Sequence, residues 1–164
     1  MSSETILTQA ISETLYKYCR SLDRMDRAMY DNLFVPDAPM DYGAHFRGTA
    51  AGFADWVWIA HEAMQSHSHQ IANILVEAGT DGATAGSESY VTVCLRTKPD
   101  RSGNVVDIVD RGRYIDRWSR QTDGSWRISA RVFVSDIQQV LDASRSPQTT
   151  VRRDRTDPSY GVFP

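Results

Sequence analysis

Apolar residues at Ile6, Ala10, Ile11, Leu15, Tyr18 and Leu22 recur at spacings of three and four. That period places them on one face of a helix, with Ser3 or Thr5 as its cap. A polar break over residues 21–26 separates it from a shorter helix, Arg27 to Phe34, which Pro36 and Pro39 end. Met40–Tyr42 and His45–Arg47 read as a short strand pair. Gly48-Thr49 then opens a long helix through Gln65, with Phe53, Trp56, Val57, Ala60 and Met64 at helical spacing.

After His67-Ser68-His69 the period changes to two. Strands are predicted from Ile71 to Ala78, Thr84 to Lys98 and Val105 to Arg120, with a last strand from Trp126. Gly79-Thr80-Asp81-Gly82 and Thr122-Asp123-Gly124 turn the chain between them, as does the polar loop 99–104. On the last strand Trp126, Ile128, Ala130, Val132 and Val134 alternate with Arg127, Ser129, Arg131 and Phe133. Helices first and an antiparallel meander afterwards make an α+β fold, whose long twisted strands curl around a helix and enclose space for a pocket.

Composition narrows the function. The chain has 164 residues, enough for one core. Its net charge of −3 gives no basic surplus for phosphates, so nucleic acid is not the expected partner. No apolar run reaches the roughly 18 residues of a membrane span, and the N-terminus lacks the basic-then-apolar pattern of a secretory signal. A cytoplasmic protein away from the membrane is the expectation. Cys19 and Cys94 are too few for a disulfide framework. The charge is unevenly spread: residues 144–164 carry four Arg and two Asp, a net of +2, and the rest is −5. This divides the chain into a body, 1–143, and a basic extension, 144–164, which is expected to dock on the body or a partner subunit through Tyr160-Gly161-Val162-Phe163.

Few residues suit chemistry. Phosphate-cradling Gly loops, G-x-S-x-G and dinucleotide fingerprints are missing. Asp23 follows the apolar stripe of the first helix and reads either as a helix-end residue or as a buried carboxylate that needs a partner. His67 and His69 share a strand face, but without a third ligand they give no metal site. A His paired to an Asp is suited to proton transfer near neutral pH. Arg131 shares a face with Arg127, Ser129 and Phe133, and Arg111 and Arg113 share one with Asp107. Such rows are solvated faces or, on a concave surface, anion-holding groups. Tyr16, Tyr18, Tyr42, Phe46, Phe53, Trp56, Trp58 and Phe133 supply a core or an aromatic-lined pocket, and buried tyrosines need hydroxyl partners.

Several segments together resemble the SnoaL-like branch of the nuclear-transport-factor-2-like superfamily. They are 15–26 (LYKYCRSLDRMD), 33–38 (LFVPDA), 69–73 (HQIAN), 112–118 (GRYIDRW) and 123–131 (DGSWRISAR), and the likeness covers roughly residues 5–142. The resemblance implies a cone-shaped barrel: a curved antiparallel sheet wrapped around the N-terminal helices, with a deep apolar cavity, often in a homodimer or homotrimer. It also implies a cofactor-independent lyase or isomerase, of the scytalone dehydratase, bile-acid 7α-dehydratase or hexachlorocyclohexane dehydrochlorinase kind. Asp23 and His69 match its paired acid and base. Tyr18 and Arg131 match its further catalytic positions, although Tyr16 shares the face of Asp23 better on an ideal helix. Asp107 is matched to its polar middle-strand residue. Tyr42, Phe53, Trp56 and Phe133 would join Asp107 in binding a hydrophobic, ring-bearing small molecule, with no metal. Dehydration, retro-aldol type cleavage and double-bond migration are the reactions implied; a non-catalytic binding module or an oxygenase small subunit is the alternative.

Overall fold

The computed structural model describes residues 3–147 and 149–162. Helix α1, Ser3–Asp23, is followed by α2, Arg27–Asp31, and the short strands β1, Pro39–Asp41, and β2, Arg47–Thr49. Helix α3, Ala50–Glu62, leads into the long strands β3, Met64–Ala78, β4, Thr84–Thr97, β5, Val106–Arg120, and β6, Trp126–Asp142. The sheet runs β2-β1-β6-β5-β4-β3. All neighbours are antiparallel except β1 and β6, which pair in parallel. The α+β fold is therefore as expected, but the sheet is mixed rather than antiparallel and stays open between β2 and β3 rather than closing into a barrel.

Core residues Leu7, Ile11, Leu15, Tyr18, Cys19 and Leu22 fix the inner face of α1, while Ile6 stays exposed. The helix ends in a Schellman motif: Asp26 N–H donates to the Ser21 carbonyl at 2.8 Å and Met25 N–H to that of Leu22 at 3.1 Å. Met25 takes the left-handed position (φ 53°) usually given to Gly. Asp23 is thereby the last helical residue. The Asp26 carboxylate caps α2 by accepting from Met29 N–H, and Thr49 caps α3 by accepting from Gly52 N–H. Helix α3 ends at Glu62 with Ala63 as its C-cap, so Met64 to Gln70, expected as helix end and turn, already lie in β3.

The last strand departs from strict alternation twice. Arg117 and Trp118 of β5 face Ala130 and Ile128, so Ser129 is an extra residue, and Arg111 and Gly112 face Ile137 and Ser135, so Asp136 is another. Each bulge shifts the side chains by one position. The inner face of β6 consequently reads Ile128, Arg131, Phe133, Ser135, Gln138, and Ile128 and Arg131, expected on opposite faces, are both buried. Gly112 sits at the second bulge, where a Cβ would lie 2.2 Å from the Val134 carbonyl oxygen and 2.8 Å from the Phe133 ring. Gly112→Ala is expected to destabilise the fold by about 1–3 kcal/mol through overpacking against backbone; an unchanged urea midpoint would contradict this.

The C-terminal extension lies on the body near the end of α1. Tyr160 donates to Asp26 at 3.0 Å, Arg24 meets Asp157 at 3.3 Å, and the guanidinium groups of Arg20 and Arg155 lie 4.9 and 4.7 Å from the Tyr160 ring centre. Phe163, expected to help dock the tail, is outside the described residues.

Candidate active site

The inner face of the sheet and helices α1 and α3 surround a cavity of about 260 Å³. Its walls are mainly apolar: Leu22, Phe53, Trp56, Val57, Met64, Val93, Leu95, Ile108 and Phe133. His61, His69, Tyr18, Tyr42, Tyr114, Asp110 and Gln138 bring polar atoms to it. Lys and Arg are absent from the lining.

His69 joins the cavity to the end of α1. Its Nδ1 lies 2.7 Å from Asp23 Oδ1, and its backbone N–H donates to Asp23 Oδ2 at 3.0 Å. The carboxylate is therefore fixed by two bonds to one residue. A carboxylate only accepts here, so Nδ1 carries the hydrogen of this bond. The His69 side chain is 4 % exposed and that of Asp23 14 %.

Beside it lie two more imidazoles. The ring centre of His61 is 4.2 Å from that of His67 and 5.8 Å from that of His69. Burial pushes the pKa of His61 down to about 2 and that of His67 down to about 4, so both are neutral near pH 7. His67 Nε2 donates to the Leu22 carbonyl at 2.7 Å. The buried Nδ1 of His61 has no hydrogen-bond partner among the described residues, which leaves it for a polar group entering the cavity. Among the described residues no set of three His, Cys, Asp or Glu converges on a metal position.

The opposite wall is phenolic. Tyr18 and Tyr42 hydroxyls are 2.9 Å apart, and Tyr18 meets Tyr114 edge-on with ring centres 5.5 Å apart. Burial raises the pKa of all three well above the ordinary tyrosine value, while the nearby Arg131 charge acts in the opposite direction. They remain neutral donors at physiological pH. Arg131 does not reach the cavity. It donates twice to Asp116, at 2.7 and 2.8 Å, with both side chains fully buried, and lies over the rings of Tyr18 and Tyr114 at 4.2 and 4.0 Å.

A model of the SnoaL-like domain matches residues 4–132. The chain belongs to this family. Its SnoaL-like fold is shared with solved structures of low sequence identity. A candidate scytalone dehydratase from Novosphingobium aromaticivorans superposes with a TM-score of 0.72 at 18% identity, covering 93% of this chain and 95% of that one. A type 2 hexachlorocyclohexane dehydrochlorinase gives 0.71 at 14%, covering 84% and 90%. A nuclear-transport-factor-2-like protein from Salmonella enterica serovar Typhimurium gives 0.70 at 15%, covering 82% and 94%. These likenesses show a fold shared with nuclear-transport-factor-2-like proteins, the cone-shaped arrangement of a curved sheet around helices. No curated protein matches it in sequence.

In this SnoaL-like chain the expected site residues separate into three groups. Tyr18, Tyr42, Phe53, Trp56, Phe133 and His69 meet at the cavity. Tyr16, the rival of Tyr18, is 53% exposed. Asp23 and Arg131 stand one layer behind, touching His69 and the tyrosines respectively. Asp107 is placed elsewhere: it accepts two bonds from Arg96, both at 2.7 Å, on the outer face of the sheet. The inward positions of β5 are the even ones, Ile108, Asp110, Gly112, Tyr114, Asp116 and Trp118, and Arg111 and Arg113 point outward with Asp107. Arg113 is tied to Glu88 and Asp136 there.

Asp110, Gln138, His61 and Tyr114 also line the cavity, although none of them stands out as a site residue in the sequence. Asp110 accepts from Ser135 Oγ at 2.8 Å and from Gln138 Nε2 at 2.9 Å. Register aligns His69 with Val93, Val93 with Asp110 and Asp110 with Gln138, one residue per strand in a single row across the cavity wall. With strands about 4.8 Å apart, the backbones at His69 and Asp110 are roughly 10 Å apart.

Proposed function

We propose that this protein is a cofactor-independent lyase or isomerase acting on a hydrophobic, ring-bearing small molecule, with His69 as its base. The observation that carries this reading is the bond between His69 Nδ1 and Asp23 at the edge of an apolar cavity. Asp23 fixes the tautomer and balances the charge of the imidazolium as it forms. In a dehydration, Nε2 takes a proton from the carbon beside a carbonyl. The C–H electrons become the new double bond and the β-hydroxyl departs as water, protonated through the Tyr18–Tyr42 pair, which recovers its proton from His69. Retro-aldol type cleavage and double-bond migration use the same base with a different bond breaking.

Anion stabilisation falls to the phenols. Arg131 is committed to Asp116 and supports Tyr18 and Tyr114 from behind, so the negative charge that develops on substrate oxygen meets O–H donors in a dry site. At the other end of the row, Asp110 and Gln138 hold a substrate hydroxyl. Phe53, Trp56 and Phe133 pack against the ring.

The test is turnover of a panel of cyclic β-hydroxy ketones. His69→Ala is expected to lower kcat by about 10²-fold to 10⁴-fold, the usual contribution of a positioned base, with an unchanged circular dichroism spectrum. Full activity of the folded variant would overturn His69 as the base.

A further inference from the structure

The C-terminal extension holds one side chain whose contacts lead to the dyad. Arg153 donates from Nη1 to the His61 carbonyl at 2.6 Å and from Nη2 to the Met64 carbonyl at 2.9 Å. It thus clamps the junction between α3 and β3. His61 lies in the last turn of α3, where carbonyls lack helical partners and the helix dipole favours a cation. Nη1 also lies 3.5 Å from His67 Nδ1. His67 is neutral, with its hydrogen on Nε2, which it donates to the Leu22 carbonyl; Nδ1 is then an acceptor and suits a guanidinium donor.

Leu22 immediately precedes Asp23. Its carbonyl already accepts Met25 N–H in the Schellman motif, so the His67 bond fixes the final turn that aims the Asp23 carboxylate. Two residues beyond His67 on the same strand is His69. Arg153 therefore holds both supports of the pair: the start of β3 that carries the base, and, through His67, the helix end that carries the acid. Only a planar fork of donors spans two carbonyls and a ring nitrogen in this way. Salt bridges from Arg153 to a carboxylate do not occur among the described residues; its bonds all go to this junction.

We infer that Arg153 is a positioning residue for the Asp23–His69 pair, acting from the C-terminal extension through the α3–β3 junction and His67. This rests on the reading of that pair as the catalytic dyad. The further contacts of the extension, Tyr160 to Asp26 and Arg24 to Asp157, hold it across the same helix end.

The test uses the full chain, labelled with ¹⁵N-histidine and observed without substrate. In the unaltered protein His69 is expected as the Nδ1–H tautomer with a hydrogen protected from exchange, and His67 as the Nε2–H tautomer. Arg153→Ala is expected to shift the ring nitrogen resonances of His67 and to abolish the protected Nδ1–H signal of His69. Arg153→Lys, which keeps the charge but not the fork, is expected to restore the His69 signal in part, and it serves if the alanine variant does not fold. Where turnover is measurable, kcat should fall by about 10-fold to 100-fold with KM little changed, the signature of a misplaced group. A His69 signal identical to that of the unaltered protein in either folded variant would overturn the inference, even if the melting temperature fell. Because the spectroscopic readout needs no turnover, loss of the signal in a chain inactive on every substrate would sink the lyase reading alone.

Discussion

Replacing Arg131 by Ala is expected to remove about 3–5 kcal/mol of folding stability, the usual cost of leaving one partner of a buried ion pair uncompensated. Both side chains of the Arg131–Asp116 pair are fully buried, and the pair directly bridges β5 and β6. Alone, Asp116 would keep a desolvated charge or take up a proton; burial already raises its pKa against the pull of Arg131. The substitution also empties the space over the Tyr18 and Tyr114 rings. With a typical total of about 5–15 kcal/mol, such a loss leaves little margin. Replacing the pair together, Arg131→Met with Asp116→Leu, is expected to recover most of it, because well-packed apolar side chains often match a buried ion pair. Urea unfolding of the three chains decides the matter; a single variant losing under about 1 kcal/mol would show that the ion pair is not a structural necessity.

Acidification is the second large effect, and it comes from His61 and His67. Their folded pKa values, about 2 and about 4, lie below the ordinary 6.5. The unfolded chain therefore binds protons that the folded chain refuses, and stability falls as pH drops below about 6.5. Each histidine contributes a slope of about 1.4 kcal/mol per pH unit. The His67 contribution ends near pH 4, after a loss of about 3 kcal/mol, while that of His61 continues further. Between pH 6 and 4.5 the two together give a slope of about 2.7 kcal/mol per unit. Asp107 and Asp136, held below the usual carboxylate range by Arg96 and Arg113, begin to contribute only at lower pH. Denaturant melts at half-unit intervals measure the slope. His61→Phe should halve it, and a flat profile from pH 6.5 to 4.5 would contradict the burial of both rings.

Much of the fold was legible because long segments obey one period. The stripe of α1 and the alternation of β4, where Ala85, Ser87, Ser89 and Val91 are all buried, follow directly from spacing. The pairing of Asp23 with His69 was legible only through the order of several loose segments, since 46 residues separate the two. What stayed hidden depends on single-residue offsets. The bulges at Ser129 and Asp136 carry no Gly or Pro, so nothing in the local sequence announces that Arg131 turns inward with Ile128. Asp107 and Asp110 differ by an odd number of residues and so face opposite sides of one strand; choosing between them requires the register. A local signal did exist: the even positions of β5 from 108 to 118 carry no cation, whereas 111, 113 and 117 are all Arg. His61 was hidden because a histidine within an apolar helix reads equally well as a satisfied core residue.

The row of His69, Val93, Asp110 and Gln138 has a consequence for how such a cavity changes its ligand. Between His69 and the Asp110–Gln138 pair stands one aliphatic side chain, contributed by a different strand from either. Exchanging Val93 for Ala or Leu is expected to deepen or fill the cavity between His69 and Asp110, while strand spacing keeps the two ends where they are. Cavity depth at this point is thus set by a residue that takes part in neither the Asp23–His69 nor the Asp110–Gln138 hydrogen bonds, and one codon is enough to change it.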